Sequence, residues 1–173
     1  MVQSIVARLP KSPDTLPSPA DVLKGITTTG QKLPSRVILH GVEGVGKTSF
    51  GAFTPKPIFG MARGETGIET LIDSGRVPEI AHFPEWMRWT DVLASIKALT
   101  DGDHEYKTLV LDTLNGLERL CHEYVCEREF GGDWGKKGFT AYQQGPRVAL
   151  SEWRVLLDQL DCLRAARRMT ILC

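Results

Sequence analysis

The chain is poor in cysteine: four among 173 residues, Cys121, Cys126, Cys162 and Cys173, with no C-x-x-C pair. Nothing in this spacing suggests a disulfide framework, so a reducing cytosol is the expectation. His122 and Cys126 stand four apart on an expected helix, but a structural metal site needs about four such ligands, so buried thiols are the expectation. No apolar run reaches the roughly 20 residues of a membrane helix, and Met1–Arg8 lacks the apolar core of a signal peptide. No membrane association is expected. Charge of one sign is missing too: 21 basic and 21 acidic residues cancel. Any nucleic-acid surface must therefore be local. No internal repeat is visible.

What is present is a complete phosphate-binding loop, Gly41-Val42-Glu43-Gly44-Val45-Gly46-Lys47-Thr48, followed by Ser49. It lies between the apolar run Val37-Ile38-Leu39 and a segment, 47–53, that can start a helix. That setting is what the motif needs. Its glycines let backbone N–H groups turn toward phosphate oxygens, and the helix N-terminus adds positive potential. Lys47 is expected at the β- and γ-phosphates and the Thr48 hydroxyl on Mg²⁺. Nucleotide contacts are therefore assigned to residues 41–49.

The pattern around the loop alternates. Pro10, Pro13, Pro17 and Pro19 mark residues 1–35 as a proline-rich, partly disordered extension, with 27–32 a polar connector. Strands are expected over 36–40 (buried), 57–61, 79–83, 108–112 and 169–173. Helices are expected from 47, from 90 to about 102, after 114, and over 148–168, the last with Trp153, Leu156, Leu157, Leu160 and Leu163 on one stripe. A glycine-rich loop is expected over 131–146. This alternation predicts an α/β fold with a mostly parallel central sheet over 36–173. The chain ends at Cys173 inside an expected strand, which suggests a truncated domain.

Leu109-Val110-Leu111-Asp112 is an apolar strand closing on a carboxylate. At the C-terminal sheet edge Asp112 would hold Mg²⁺ through its water shell. Hydrolysis further needs a group that activates water, and the same edge carries Arg63-Gly64-Glu65-Thr66-Gly67-Ile68-Glu69. Glu65, just past a strand and beside a glycine, is the candidate, with Glu69 in reserve. Lys47, Glu65 and Asp112 form the expected catalytic set, and Thr48 and Asp112 the expected metal ligands.

With these motifs placed, residues 34–173 resemble the RecA-like P-loop ATPases, and among them the phage nucleotide-binding AAA-type family that assists single-strand annealing and recombination. The resemblance implies a RecA-like three-layer fold, ATP and Mg²⁺ as ligands, and a cytoplasmic setting in a bacterial or phage-infected cell. It matches Glu65 to the water-activating position. It places the 169–173 strand between the phosphate-loop strand and the Asp112 strand, with a polar sensor and a second DNA-binding loop beyond Cys173. It also implies a first DNA-binding loop in the interval 131–146, where Lys136, Lys137, Phe139 and Tyr142, with Trp134, suit single-stranded DNA. Homo-oligomers with a basic finger supplied across subunits are a further implication. The alternatives are a DNA-packaging or replication motor on the same core, a small-molecule or nucleotide kinase, and a regulatory GTPase. A kinase would need an arginine-rich lid and a GTPase an Asn-Lys-x-Asp motif, and neither is seen.

Overall fold

The computed structural model describes residues 18–26 and 32–173, the side chain of Asp21 excepted. The chain divides into two units, Met1–Lys32 and Leu33–Cys173. In the first, a six-residue helix α1 spans Pro19–Lys24. Proline suits such a start because the first turn has no use for its missing N–H. The expected lead-in up to residue 17 and connector residues 27–31 lie outside the described residues.

The second unit holds five parallel strands in the order β1-β5-β4-β2-β3. These are β1 (Arg36–Val37), β2 (Pro57–Gly60), β3 (Ala81–His82), β4 (Thr108–Leu111) and β5 (Thr170–Leu172). The β5 strand pairs with β1 on one side and β4 on the other, the insertion that the resemblance implied. The helices are α2 (Lys47–Ala52), α3 (Gly67–Asp73), α4 (Trp89–Asp101), α5 (Leu114–Phe130) and α6 (Gln144–Arg167), with a 3₁₀ turn at Ala141–Gln143.

Side-chain alternation along the central strands divides the core in two. Ile58, Leu109, Leu111 and Ile171 face a cluster built from α4, α5 and α6, with Trp86, Trp89, Ile96, Leu117 and Leu156 buried in it. Phe59, Val110 and Leu172 face the opposite cluster, with Ala52 of α2 and Ile68 of α3. A sheet covered on both faces is an α/β fold of three layers, the RecA-like P-loop architecture.

Several expectations are corrected. The first strand is short and lies at an edge: Leu39 N still donates to Cys173 O at 2.8 Å, yet Ile38 is 72% exposed. An edge strand is not covered like an interior one, so the buried strand expected over 36–40 is not found. The third strand keeps only Ala81 and His82, both exposed. The α3 helix was not foreseen. The α6 helix begins at Gln144, four residues earlier than expected, and takes in Pro146 within its first turn, where proline is tolerated. Leu157 stays 46% exposed, off the buried stripe of Leu156, Leu160 and Leu163. The arginines at the end of α6 form specific ties: Arg164 donates to Pro34 O, and Arg167 to Thr100 O at 2.9 Å.

Candidate nucleotide site

Beyond β1 the chain curls through residues 38–46 into α2. Gly44 (φ 78°) and Gly46 (φ 98°) sit in the left-handed region, where a side chain is strained. Gly46 is the residue from which α2 departs. Lys47, first in the helix, bends back so that Nζ donates to Gly41 O at 2.8 Å and Val42 O at 2.9 Å. The ammonium is thus held over the start of the loop. Val42 and Val45 are well exposed on the loop.

The next residue of α2, Thr48, donates through Oγ1 to Asp112 Oδ2 at 2.8 Å. Asp112 directly follows β4, and its N–H continues the ladder by donating to Gly60 O at 3.0 Å. The sheet therefore delivers the carboxylate to the hydroxyl from 64 residues away in sequence. The following peptide, Asp112–Thr113, is cis.

Glu65 lies in a tight turn after β2, with its N–H on Ala62 O at 3.2 Å. Its Oε1 accepts from Thr113 Oγ1 at 3.1 Å. A Cβ added at Gly67, where α3 begins, would lie 3.6 Å from Thr48 Oγ1, so this turn closes over the threonine. Lys47, Glu65, Asp112 and Thr113 line one cleft of about 560 Å³, together with Ile38 and His40. That size suits a small-molecule ligand. Glu69, the reserve candidate, is exposed in the first turn of α3 and does not line the cleft.

A hydroxyl and a carboxylate 2.8 Å apart are hard oxygen donors. They suit Mg²⁺, which keeps much of its water and takes few protein ligands beside substrate phosphates. Among the described residues no group of three or more His, Cys, Asp or Glu could cage a metal unaided. His122 instead packs its ring on Phe139 at 5.1 Å, and Cys126 is buried. Burial also pushes the thiols up, Cys121 to about 12 and Cys173 to about 11.

The interval 131–146 needs one correction. Phe139 is only 4% exposed. Its ring meets His122, Phe130 and Trp134, with centroids 5.1, 5.7 and 4.8 Å away. It anchors the loop and offers no face to a base. The loop is also less free than its glycines suggested: Phe139 N donates to Asp133 O at 2.7 Å, and Thr140 Oγ1 to Gly135 O at 2.9 Å. Lys136 and Lys137 are exposed, as are Trp134 at 47% and Tyr142 at 93%. Tyr142 holds a left-handed backbone, φ 46°.

Sequence reasoning missed Thr113, Gly116 and the Arg63–Glu123 ion pair at 2.5 Å. A threonine after a strand-ending acid, followed three residues later by a small residue, is a helix-capping signal that could have been weighed. No helix of the described residues is long and apolar enough to cross a membrane.

Comparison with curated proteins and with solved structures gave no match. A family model described as an AAA domain matches residues 33–169. That span holds β1 to α6, with Lys47, Thr48, Glu65, Asp112 and Thr113, so the chain belongs to the AAA-domain family of nucleotide-binding proteins.

Proposed function

We propose that this domain is a Mg²⁺-dependent ATPase that acts with single-stranded DNA in phage recombination or annealing. The observation that carries the reading is the Thr48–Asp112 hydrogen bond, which joins the phosphate loop to the carboxylate at the end of β4. Nothing in a Gly-rich turn of structural purpose requires that pairing.

Each residue then has a task. Backbone N–H groups of residues 41–48 cradle the phosphates. Lys47 exchanges the carbonyls of Gly41 and Val42 for β- and γ-phosphate oxygens, a move that its half-buried but flexible side chain permits. Thr48 and Asp112 would hold Mg²⁺, which supplies charge neutralisation across the β- and γ-phosphates. Glu65 orients the attacking water and takes its proton. Most of the rate enhancement comes from positioning and electrostatics, as in phosphoryl transfer generally.

The DNA reading rests on the exposed lysines and aromatics of the 134–142 segment. Lys136 and Lys137 suit phosphates, and Trp134 and Tyr142 suit stacked bases. The left-handed backbone at Tyr142 supports it: an exposed aromatic kept in a costly conformation is a mark of function rather than of packing.

Turnover of ATP and GTP, with and without Mg²⁺ and single-stranded DNA, tests the proposal. Glu65→Gln should abolish hydrolysis while keeping nucleotide affinity. Stimulation by duplex DNA alone would assign a packaging or replication motor. Phosphorylation of a small acceptor without DNA dependence would make the domain a kinase and overturn the proposal.

A further inference from the structure

We propose that Thr113 is the positioning residue for Glu65, fixing the carboxylate so that its second oxygen is left for the attacking water. The inference rests on Glu65 being the water-activating group.

A threonine hydroxyl has one proton to donate and lone pairs to accept with. At Thr113 both roles are taken. As N-cap of α5 its Oγ1 accepts from Gly116 N at 3.3 Å. Its proton is thereby directed to Glu65 Oε1, 3.1 Å away. The two bonds fix the hydroxyl, and the hydroxyl fixes one carboxylate oxygen. Oε2 remains to accept from water.

The rest of the seat belongs to the same helix. A Cβ at Gly116 would stand 3.2 Å from Glu65 Oε1 and 2.7 Å from Ala62 Cβ, so only glycine lets the turn lie this close. Arg119 Nη2 donates to Arg63 O at 2.6 Å, and Arg63 Nη2 reaches Glu123 Oε1 at 2.5 Å. These ties hold the backbone of residues 62–65 against α5. What they leave loose is the glutamate side chain, whose rotamer freedom is large. Thr113 removes it. Because Thr113 adjoins Asp112, one strand end presents both the carboxylate bonded to Thr48 and the hydroxyl that aims the base.

A cap alone would be a structural role, and three variants separate the two. Thr113→Ser keeps donor and acceptor and should stay within about twofold of wild type. Thr113→Gly is tolerated at an N-cap with little loss of stability but has no hydroxyl to donate. Its kcat for ATP should fall about 10- to 100-fold, as for other outer-shell partners, with KM changed by less than about twofold. Nucleotide binding and a cooperative melt serve as fold controls. If Thr113→Gly does not fold, Thr113→Ala carries the kcat comparison, the lost cap being read separately in the melt. Wild-type kcat in Thr113→Gly overturns the proposal. Full turnover in Glu65→Gln itself would overturn the reading of Glu65 instead.

Discussion

Thr48 Oγ1 donates to Asp112 Oδ2 at 2.8 Å, so the hydroxyl of the phosphate loop is already committed to the strand-end carboxylate. For the hydroxyl to serve a metal it must turn its lone pair outward while the proton stays on Asp112. The bond and the proposed ligand role are compatible, since Asp112 fixes the hydroxyl proton's direction and leaves a lone pair free.

Asp112→Asn removes the charge but keeps the shape. The Mg²⁺ dependence of nucleotide binding should weaken and turnover should drop about 10- to 100-fold. Titration of a fluorescent ATP analogue with and without Mg²⁺ checks this. Unchanged Mg²⁺ dependence would remove Asp112 from the metal site.

Lys47→Ala should separate binding from folding. The Lys47 ammonium is solvent-accessible and its two bonds are local to the loop, so stability should move by no more than about 0.5 kcal/mol. ATP affinity should fall steeply. A thermal melt in the absence of ligand should match wild type, and the upward shift caused by ATP should vanish.

Phe139 and its loop neighbours should behave oppositely. Phe139→Ala deletes a ring packed on three others and should cost about 3–5 kcal/mol in a urea denaturation. Tyr142→Ala and the pair Lys136→Ala, Lys137→Ala should leave stability nearly unchanged and weaken DNA binding. Each lysine that meets a phosphate should lower the salt slope for single strands by about 0.7. A stable Phe139→Ala would contradict its burial.

The thiols give a pH signature. Burial, aided by Glu152 and Glu118, raises Cys121 to about 12 from an ordinary value of 9.0. The folded state thus keeps a proton that the unfolded state releases, so this stabilisation is complete below the unfolded value and is lost as pH rises toward 12. Thermal melts from pH 8 to 11 should show a decline that Cys121→Ala, compared with its own value at pH 8, shows less. At pH 8 a thiol reagent should label the exposed Cys162 first.

The parts legible in the sequence are those set by local pattern. The 41–48 loop, the Leu109–Asp112 strand and the helical spacing of Val92, Ile96 and Leu99 each declare themselves within a few residues. Glu65 could be chosen because a turn after a strand ends at the sheet's reactive edge. Burial of Phe139 could not be read that way. It depends on His122 and Phe130 from α5 and on Trp134 meeting at one point. Lysines and aromatics among glycines look alike whether they face a strand of DNA or a helix. The exposure of Ile38 was hidden for a related reason: an apolar triplet carries no sign of lying at an edge. Thr113 escaped because its second partner, Glu65, is 48 residues away.

The α5 helix runs unbroken for 17 residues, from Leu114 to Phe130, a length of about 25 Å. Thr113 stands at its head beside Glu65, and the Phe130–Phe139 contact closes its tail. A helix of this length is stiff compared with the loops it joins. It is seated along its length by the buried Leu117, Leu120 and Val125. The turn that carries Glu65 and the segment anchored by Phe139 are therefore joined through one packed helix rather than through loops alone.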